Sequence, residues 1–144
     1  MDFFSAIEVS ASGLATQRTR MNVASSNLAN AGTTGPEGEA YRRRDVVVRS
    51  QELKGSIAGH RAGPFSNAVR AASVAEIVED QEAPKPVYDP GHPDADEEGY
   101  VFMPNINTVE EMVDMITASR AYEAGITALG TAVNMAERAL GIGK

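Results

Sequence analysis

The sequence predicts a mainly α-helical chain with a small β insert: long N- and C-terminal helices paired as a coiled coil, with a small antiparallel β-rich region between them. Three observations carry this expectation. Thr108 to Leu140 contains no proline, and Met112, Ile126, Val133 and Leu140 recur at multiples of seven, with Ser119 in the one polar slot. Ile7, Leu14, Met21 and Leu28 repeat the same spacing near the other end. Between the two rows, short β-branched runs alternate with prolines that exclude a helix. Apolar residues on a seven-residue period mark a helix face that expects an apolar partner.

Taken in order, residues 2 to 30 read as the first helix. Ser5 followed by Glu8 fits a capping box, with Asp2 as an alternative N-cap, and Asn30-Ala31-Gly32 is the stop. Phe3, Ala11 and Ala24 extend the apolar side, while Arg18 and Ser25 thin it at flanking positions. A seam this thin is marginal alone in water, so the C-terminal stripe is its natural mate. The Asn/Gly/Thr stretch that follows tolerates left-handed or extended backbone, and its asparagines can bond neighbouring backbone.

Tyr41 to Val48 is a β-branched run and reads as a first strand. Gly55 to Asn67 reads as a long loop with poor local preferences. Val74 to Glu79 alternates well enough for a second strand, and Gly99 to Met103, stopped by Pro104, for a third. Ala83 to Asp94, which contains Pro84, Pro86, Pro90 and Pro93, is extended or turning. In the last helix, Val109, Ile116, Leu129 and Ala136 lie beside the main row, and about thirty residues at 1.5 Å rise make a rod near 50 Å long. The division is therefore 1–34 as N-terminal helix, 35–104 as β-rich insert and 105–144 as C-terminal helix, the two helices forming one α-helical core. The helix-packing and assembly residues expected from the two rows are Ile7, Leu14, Met21 and Leu28 against Met112, Ile116, Ile126, Leu129, Val133 and Leu140, and the part of the C-terminal face that the thin N-terminal seam leaves uncovered is expected to meet other subunits.

Composition narrows the function. A formal charge of −7 argues against a general nucleic-acid or anionic-membrane surface. The absence of cysteine removes disulfides and thiolate metal sites. Met1-Asp2-Phe3-Phe4-Ser5 lacks a basic n-region leading into an apolar core, so no Sec-type signal is read there. No apolar run approaches the ~18 residues of a bilayer span. Charge within the insert is uneven. Arg42 to Arg70 holds seven basic and two acidic residues, and Glu76 to Glu98 nine acidic and one basic. Such blocks attract each other within one subunit, or meet between subunits and set register.

Sites of chemistry are sparse. His60 and His92 have no second ligand at metal spacing, and no zinc-protease, phosphate-loop or nucleophile-elbow motif occurs. Asp94-Ala95-Asp96-Glu97-Glu98-Gly99 imitates the first half of a calcium loop. Its twelfth position, however, is Asn105, where a bidentate Glu is required, so it reads as a solvated acidic turn. Arg42-Arg43-Arg44 adjoins Asp45 and reads as no nucleic-acid patch. An enzyme, a cofactor and a metal are not expected.

Four stretches carry a resemblance. Ser26-Asn27-Leu28-Ala29-Asn30 with Thr33 and Gly35 resembles the N-terminal signature of bacterial flagellar rod and hook proteins. Tyr41 to Val47 resembles the strand that follows it. Val87 to Asp96 with Gly99-Tyr100-Val101 and Met103-Pro104-Asn105 is the most specific stretch, and Glu110 to Ile116 with Ser119 to Ala124 resembles the C-terminal helix. Together they span most of the chain, which is similar to the flagellar basal-body rod proteins, and to their proximal branch in particular. Gly125 and Gly130 depart from the better helix formers usual there.

The resemblance implies a structural subunit. It would polymerise with copies of itself and other rod proteins into a hollow helical drive shaft that transmits motor torque and encloses the export channel. It also implies a rod crossing the periplasm, type III export without a cleavable signal, a basal adaptor at the membrane ring as a further neighbour, and no direct membrane insertion. The alternative is a helical-hairpin adaptor of the flagellar or type III export machinery that never polymerises.

Overall fold

The computed structural model describes residues 3–35, 40–52 and 70–142. Two long helices enclose two small antiparallel sheets in the order α1 (Phe3–Ala29), β1 (Arg44–Glu52), β2 (Arg70–Glu79), β3 (Lys85–Tyr88), β4 (Tyr100–Met103) and α2 (Thr108–Ile142). The expected fold class is the observed one. The Gly55–Asn67 loop, His60 and Asp2 lie outside the described residues.

Helix ends follow local chemistry. α1 begins at Phe3, so Ser5 sits in its first turn and the capping box with Glu8 does not form. Its serines and threonines turn back on the helix: Ser10 Oγ donates to the Ala6 carbonyl at 2.8 Å and Thr16 Oγ1 to that of Ser12 at 2.9 Å. That satisfies the hydroxyls without spending a tertiary contact. At the expected stop, Asn30 Nδ2 donates to the Ser26 carbonyl at 2.8 Å and Thr33 N to that of Asn30 at 3.1 Å. α2 has a regular N-cap, because Asn107 Oδ1 accepts the Val109 N–H at 3.1 Å. Glu110 and Glu111 occupy its first turn, where the helix dipole favours negative charge.

α1 is the middle layer. It packs along α2 on one side and against β1 and β2 on another. On α1 the half-buried row is Ile7, Leu14, Met21 and Leu28, and Ala24 is buried. On α2 the covered row is Glu111, Met115, Ala118, Tyr122, Gly125, Leu129, Ala132 and Ala136, spaced alternately by four and three. Ala118, Gly125, Ala132 and Ala136 are small, which lets the two backbones approach, while Met115, Tyr122 and Leu129 fill the space beside them. A Cβ added at Gly125 would lie 2.8 Å from Leu14 Cδ2. The glycine is the socket for Leu14.

The two α2 glycines therefore differ. Gly130 has nothing within 4 Å of an added Cβ. Gly130→Ala should stabilise by about 1 kcal/mol through helix propensity. At Gly125 the same gain is opposed by displacement of Leu14, and overpacking of this kind costs about 1–3 kcal/mol. Urea melts of the two variants should move in opposite directions.

Among the described residues the insert has four strands rather than three. β1 and β2 pair antiparallel from Arg44↔Glu79 to Glu52↔Arg70, with a bulge where the register shifts between Val47 and Val48. The added strand, β3, pairs with β4, and Pro86 stands opposite Phe102. Proline removes one ladder donor, which a two-stranded sheet tolerates because half its backbone groups point outward. Val101 is buried at 1 % exposure, and the Tyr88 and Tyr100 rings meet edge to face at 5.4 Å.

The link between β3 and β4 turns at Gly99, whose φ is +83° and whose added Cβ would lie 3.1 Å from both Pro90 Cβ and Tyr88 Cε2. Asp96 Oδ1 accepts the N–H groups of Glu98 at 3.0 Å and Tyr100 at 2.8 Å. Gly99→Ala forces a side chain into left-handed backbone and into those neighbours. It should cost about 2 kcal/mol, read as a lowered urea midpoint.

Candidate functional site

Two features stand out: a polar knot that joins the helices to the insert, and a bare face on α2. The knot centres on Asn27, at 1 % exposure the last buried residue of α1. Its amide uses every hydrogen-bonding position it has. Nδ2 donates to the Arg44 carbonyl at 2.8 Å and to Glu111 Oε2 at 3.0 Å. Oδ1 accepts from the Arg44 N–H at 3.0 Å and from the Tyr41 hydroxyl at 3.1 Å. One side chain thus continues the β1 ladder as a mimic of backbone and reaches across to α2.

Glu111, at 2 % exposure, is the other half. Arg43 Nε donates to its Oε1 at 2.6 Å, a short charge-assisted bond. Burial pulls the Arg43 guanidinium down, but the Glu111 hydrogen bond and the charges of Glu111, Asp45 and Asp80 outweigh it, so its pKa lies above the ordinary value. The pair is partly desolvated and both carboxylate oxygens are occupied, the conditions under which a buried ion pair is tolerated. The family-signature residues divide around this knot. Asn27 is its centre, while Leu28 is half-buried on the helix seam and Ala29 exposed at the helix end. Asn30 and Thr33 form the stop, and Gly35 follows half-buried. Thr34 Oγ1 donates to Asp94 Oδ2 at 2.6 Å and ties the stop to the β3–β4 loop.

The charged blocks of the insert pair partly within the subunit. Arg44 meets Glu79 across the strands at 3.2 Å. An open cleft of about 590 Å³ lies at the base of the insert, lined by Arg42, Arg43 and Arg44 and faced by Glu79, Asp80 and Glu82. Its mixed charge has the makings of neither an anion site nor a catalytic pair. In the acidic turn, Asp94 and Asp96 are engaged by Thr34 and by backbone N–H groups. Among the described residues no three His, Cys, Asp or Glu side chains converge as a metal cluster. No described helix is long and apolar enough to cross a membrane.

The bare face is made by the residues that sequence periodicity singles out. Met112, Ile116, Ile126, Val133 and Leu140 are all exposed in the subunit, Leu140 at 77 %, together with Val109 and Val113. Only Leu129 of the expected α2 packing residues lies half-buried in the seam. The bulky row therefore stands one residue, or about 100°, round from the row covered by α1. Helix α2 carries two seven-residue stripes: a slim one that α1 fills, and a bulky one that the subunit leaves open. Periodicity finds the bulky stripe because hydrophobicity weighs side-chain size. The knot escapes it, since Asn27 and Glu111 are polar and far apart in the chain.

Two family profiles match the chain: Flagella basal body rod protein over residues 7–36, and Flagellar basal body rod FlgEFG protein C-terminal over residues 97–142. The first covers most of α1 and the second β4 and α2, so the matched segments are those the knot joins. Similarity to individual proteins runs end to end. The chain is 43 % identical to the flagellar basal-body rod protein FlgC of Bacillus subtilis over all of both chains. It is 40 % identical to that of Salmonella typhimurium, again over all of both. With the Aquifex aeolicus protein the identity is 40 % over 96 % of this chain and 95 % of the relative. Identity at this level over the full length places every element described above within one family: the chain belongs to the flagellar basal-body rod protein FlgC family.

Proposed function

We propose that the chain is a structural subunit of the proximal rod of the flagellar basal body, and that the open stripe of α2 is its main assembly surface. The observation that carries this reading is the exposed row Val109, Met112, Ile116, Ile126, Val133 and Leu140 on a helix whose other stripe is already filled. An apolar row of that length is out of place on a solitary subunit and fits a helix of a neighbour. α1 leaves a smaller, mixed row open, with Ala11, Ala15, Ser25 and Ala29 exposed among Glu8, Arg18 and Asn22. On each helix the open row follows the covered one by a single residue, and the helices run antiparallel, so both open rows lie on the same side of the pair. The β1–β2 hairpin occupies a different flank of α1 and leaves that side clear.

Residues 1–34 and 105–144 then form one α-helical core, with 35–104 as an insert outside it. Contacts that do not close on themselves generate an open helix, and repeated helix packing makes a tube. Transmitting torque along it requires buried contacts that resist slip, and no catalytic group. The wider setting is the one the family resemblance implies: a shaft that crosses the periplasm and surrounds the export channel, subunits delivered by the type III apparatus, and a basal adaptor below.

Imaging of purified basal bodies from cells that express the chain tests the reading. Density for its helix pair in the rod is expected. A chain stably expressed but absent from basal bodies would overturn it.

A further inference from the structure

We propose that the Asn27–Glu111–Arg43 cluster is the device that sets the axial register of the two terminal helices. The rest of their seam repeats every seven residues, so a heptad slip keeps its large-over-small pattern. On α1, Ile7, Leu14, Met21 and Leu28 present a large apolar side chain every seven residues. Along α2, Ala118, Gly125, Ala132 and Ala139 present a small residue at the same interval. Leu14 sits over Gly125. Sliding α2 by one heptad, about 10 Å, would set it over Ala118 or Ala132, again small residues though each carries a Cβ, so large still meets small along this row.

Leu14 fits over Gly125 better than over an alanine, and the polar end adds a distinction by charge. In the observed register Glu111 meets both the Asn27 amide and the Arg43 guanidinium. After a slip of one heptad, the position opposite Asn27 passes to Ala118 or to the segment before α2. In one slip Glu111 would enter the apolar seam opposite Met21, and in the other it would pass the end of α1; both take it from its cation. One polar residue among apolar seam positions is a known way to fix a coiled-coil alignment. Here the polar group is also bolted to β1 through the Arg44 backbone, so the hairpin shares the same reference point.

The chain has no cysteine, so paired cysteines can report register directly. In the parent background, Leu14→Cys with Gly125→Cys should oxidise to an intrachain disulfide, and Leu14→Cys with Ala132→Cys should not. The chain is assayed free where circular dichroism shows both helices formed, and otherwise after co-assembly with rod proteins. In Arg43→Met/Glu111→Leu, the slipped pair should rise about tenfold over its parent level, as expected when the polar specifier is lost. A variant that keeps its helices, forms the native pair and holds the slipped pair at parent level would overturn the proposal.

A second variant moves the cluster by one heptad: Glu111→Ala with Ala118→Glu. Its disulfide should transfer from the Leu14→Cys/Gly125→Cys pair to the Leu14→Cys/Ala132→Cys pair. Retention of the original pair, or loss of helicity in both variants, would mean that the cluster supports folding without choosing the register.

Discussion

Glu111→Leu should remove about 3–5 kcal/mol of stability, because breaking a buried pair strands the partner charge. Arg43 loses the carboxylate at 2.6 Å, and one Asn27 N–H loses its acceptor at 3.0 Å. Native domains hold only about 5–15 kcal/mol, so the variant should be largely unfolded at modest urea. Glu111→Gln keeps one acceptor oxygen, sets an NH2 against the other donor and gives up the charge, so its loss should approach that of Glu111→Leu. Arg43→Met/Glu111→Leu should regain most of the single variant's loss, since apolar replacement of both partners leaves no buried ion. Equilibrium urea denaturation of the three variants gives the order. A Glu111→Leu midpoint equal to the parent's would show that the knot contributes nothing to stability.

Ile126→Asp should have the opposite profile. Ile126 is 49 % exposed in the subunit, so the charge costs the isolated fold no more than about 0.5 kcal/mol. In the assembly the same carboxylate would be buried against a neighbour's apolar row, unpaired, at a cost of several kcal/mol per contact. Because that loss is repeated at every equivalent interface, incorporation into basal bodies should fall to background, and Ile116→Asp should behave alike. Leu129→Asp provides the contrast, since Leu129 belongs to the slim seam under α1. It should unfold the subunit before assembly is reached. Fractionation of basal bodies beside urea melts of the same variants separates the two stripes. Normal incorporation of Ile126→Asp would show that the open row is not an interface.

Both helices are legible in the sequence almost to the residue: 2 to 30 against Phe3–Ala29, and Thr108 to Leu140 against Thr108–Ile142. Long runs without proline on a seven-residue period leave few other structures open to the chain. β3 is not legible, because Pro84 and Pro86 read as breakers and only a strand partner, Phe102, shows that the extended backbone is paired. Which stripe α1 covers is hard to read for a related reason. A pair of closely packed helices is served by Ala118, Gly125 and Ala132, which score as weak hydrophobes, while the bulky residues go elsewhere. Gly125 reads as a defect in the helix until Leu14 is found against it. Asn27 illustrates the limit of local reasoning. Bonding to neighbouring backbone, the expected habit of the motif asparagines, is what Asn30 does. Asn27 instead reaches residues 17 and 84 positions away, and no local pattern announces that.

The position of α1 as the middle layer has a mechanical consequence. Its extensive contacts reach α2 on one side and the β1–β2 hairpin on the other. A sideways load on the hairpin passes to α2 through α1 along most of its length, and directly at the knot, where Arg43 bonds Glu111 and all three elements meet. The subunit is a beam clamped at that end, its far end held by the apolar seam of Ile7 and Leu14. Bending should be easiest there. Such graded compliance lets a shaft follow small misalignments along its length while twist is carried at the clamped end.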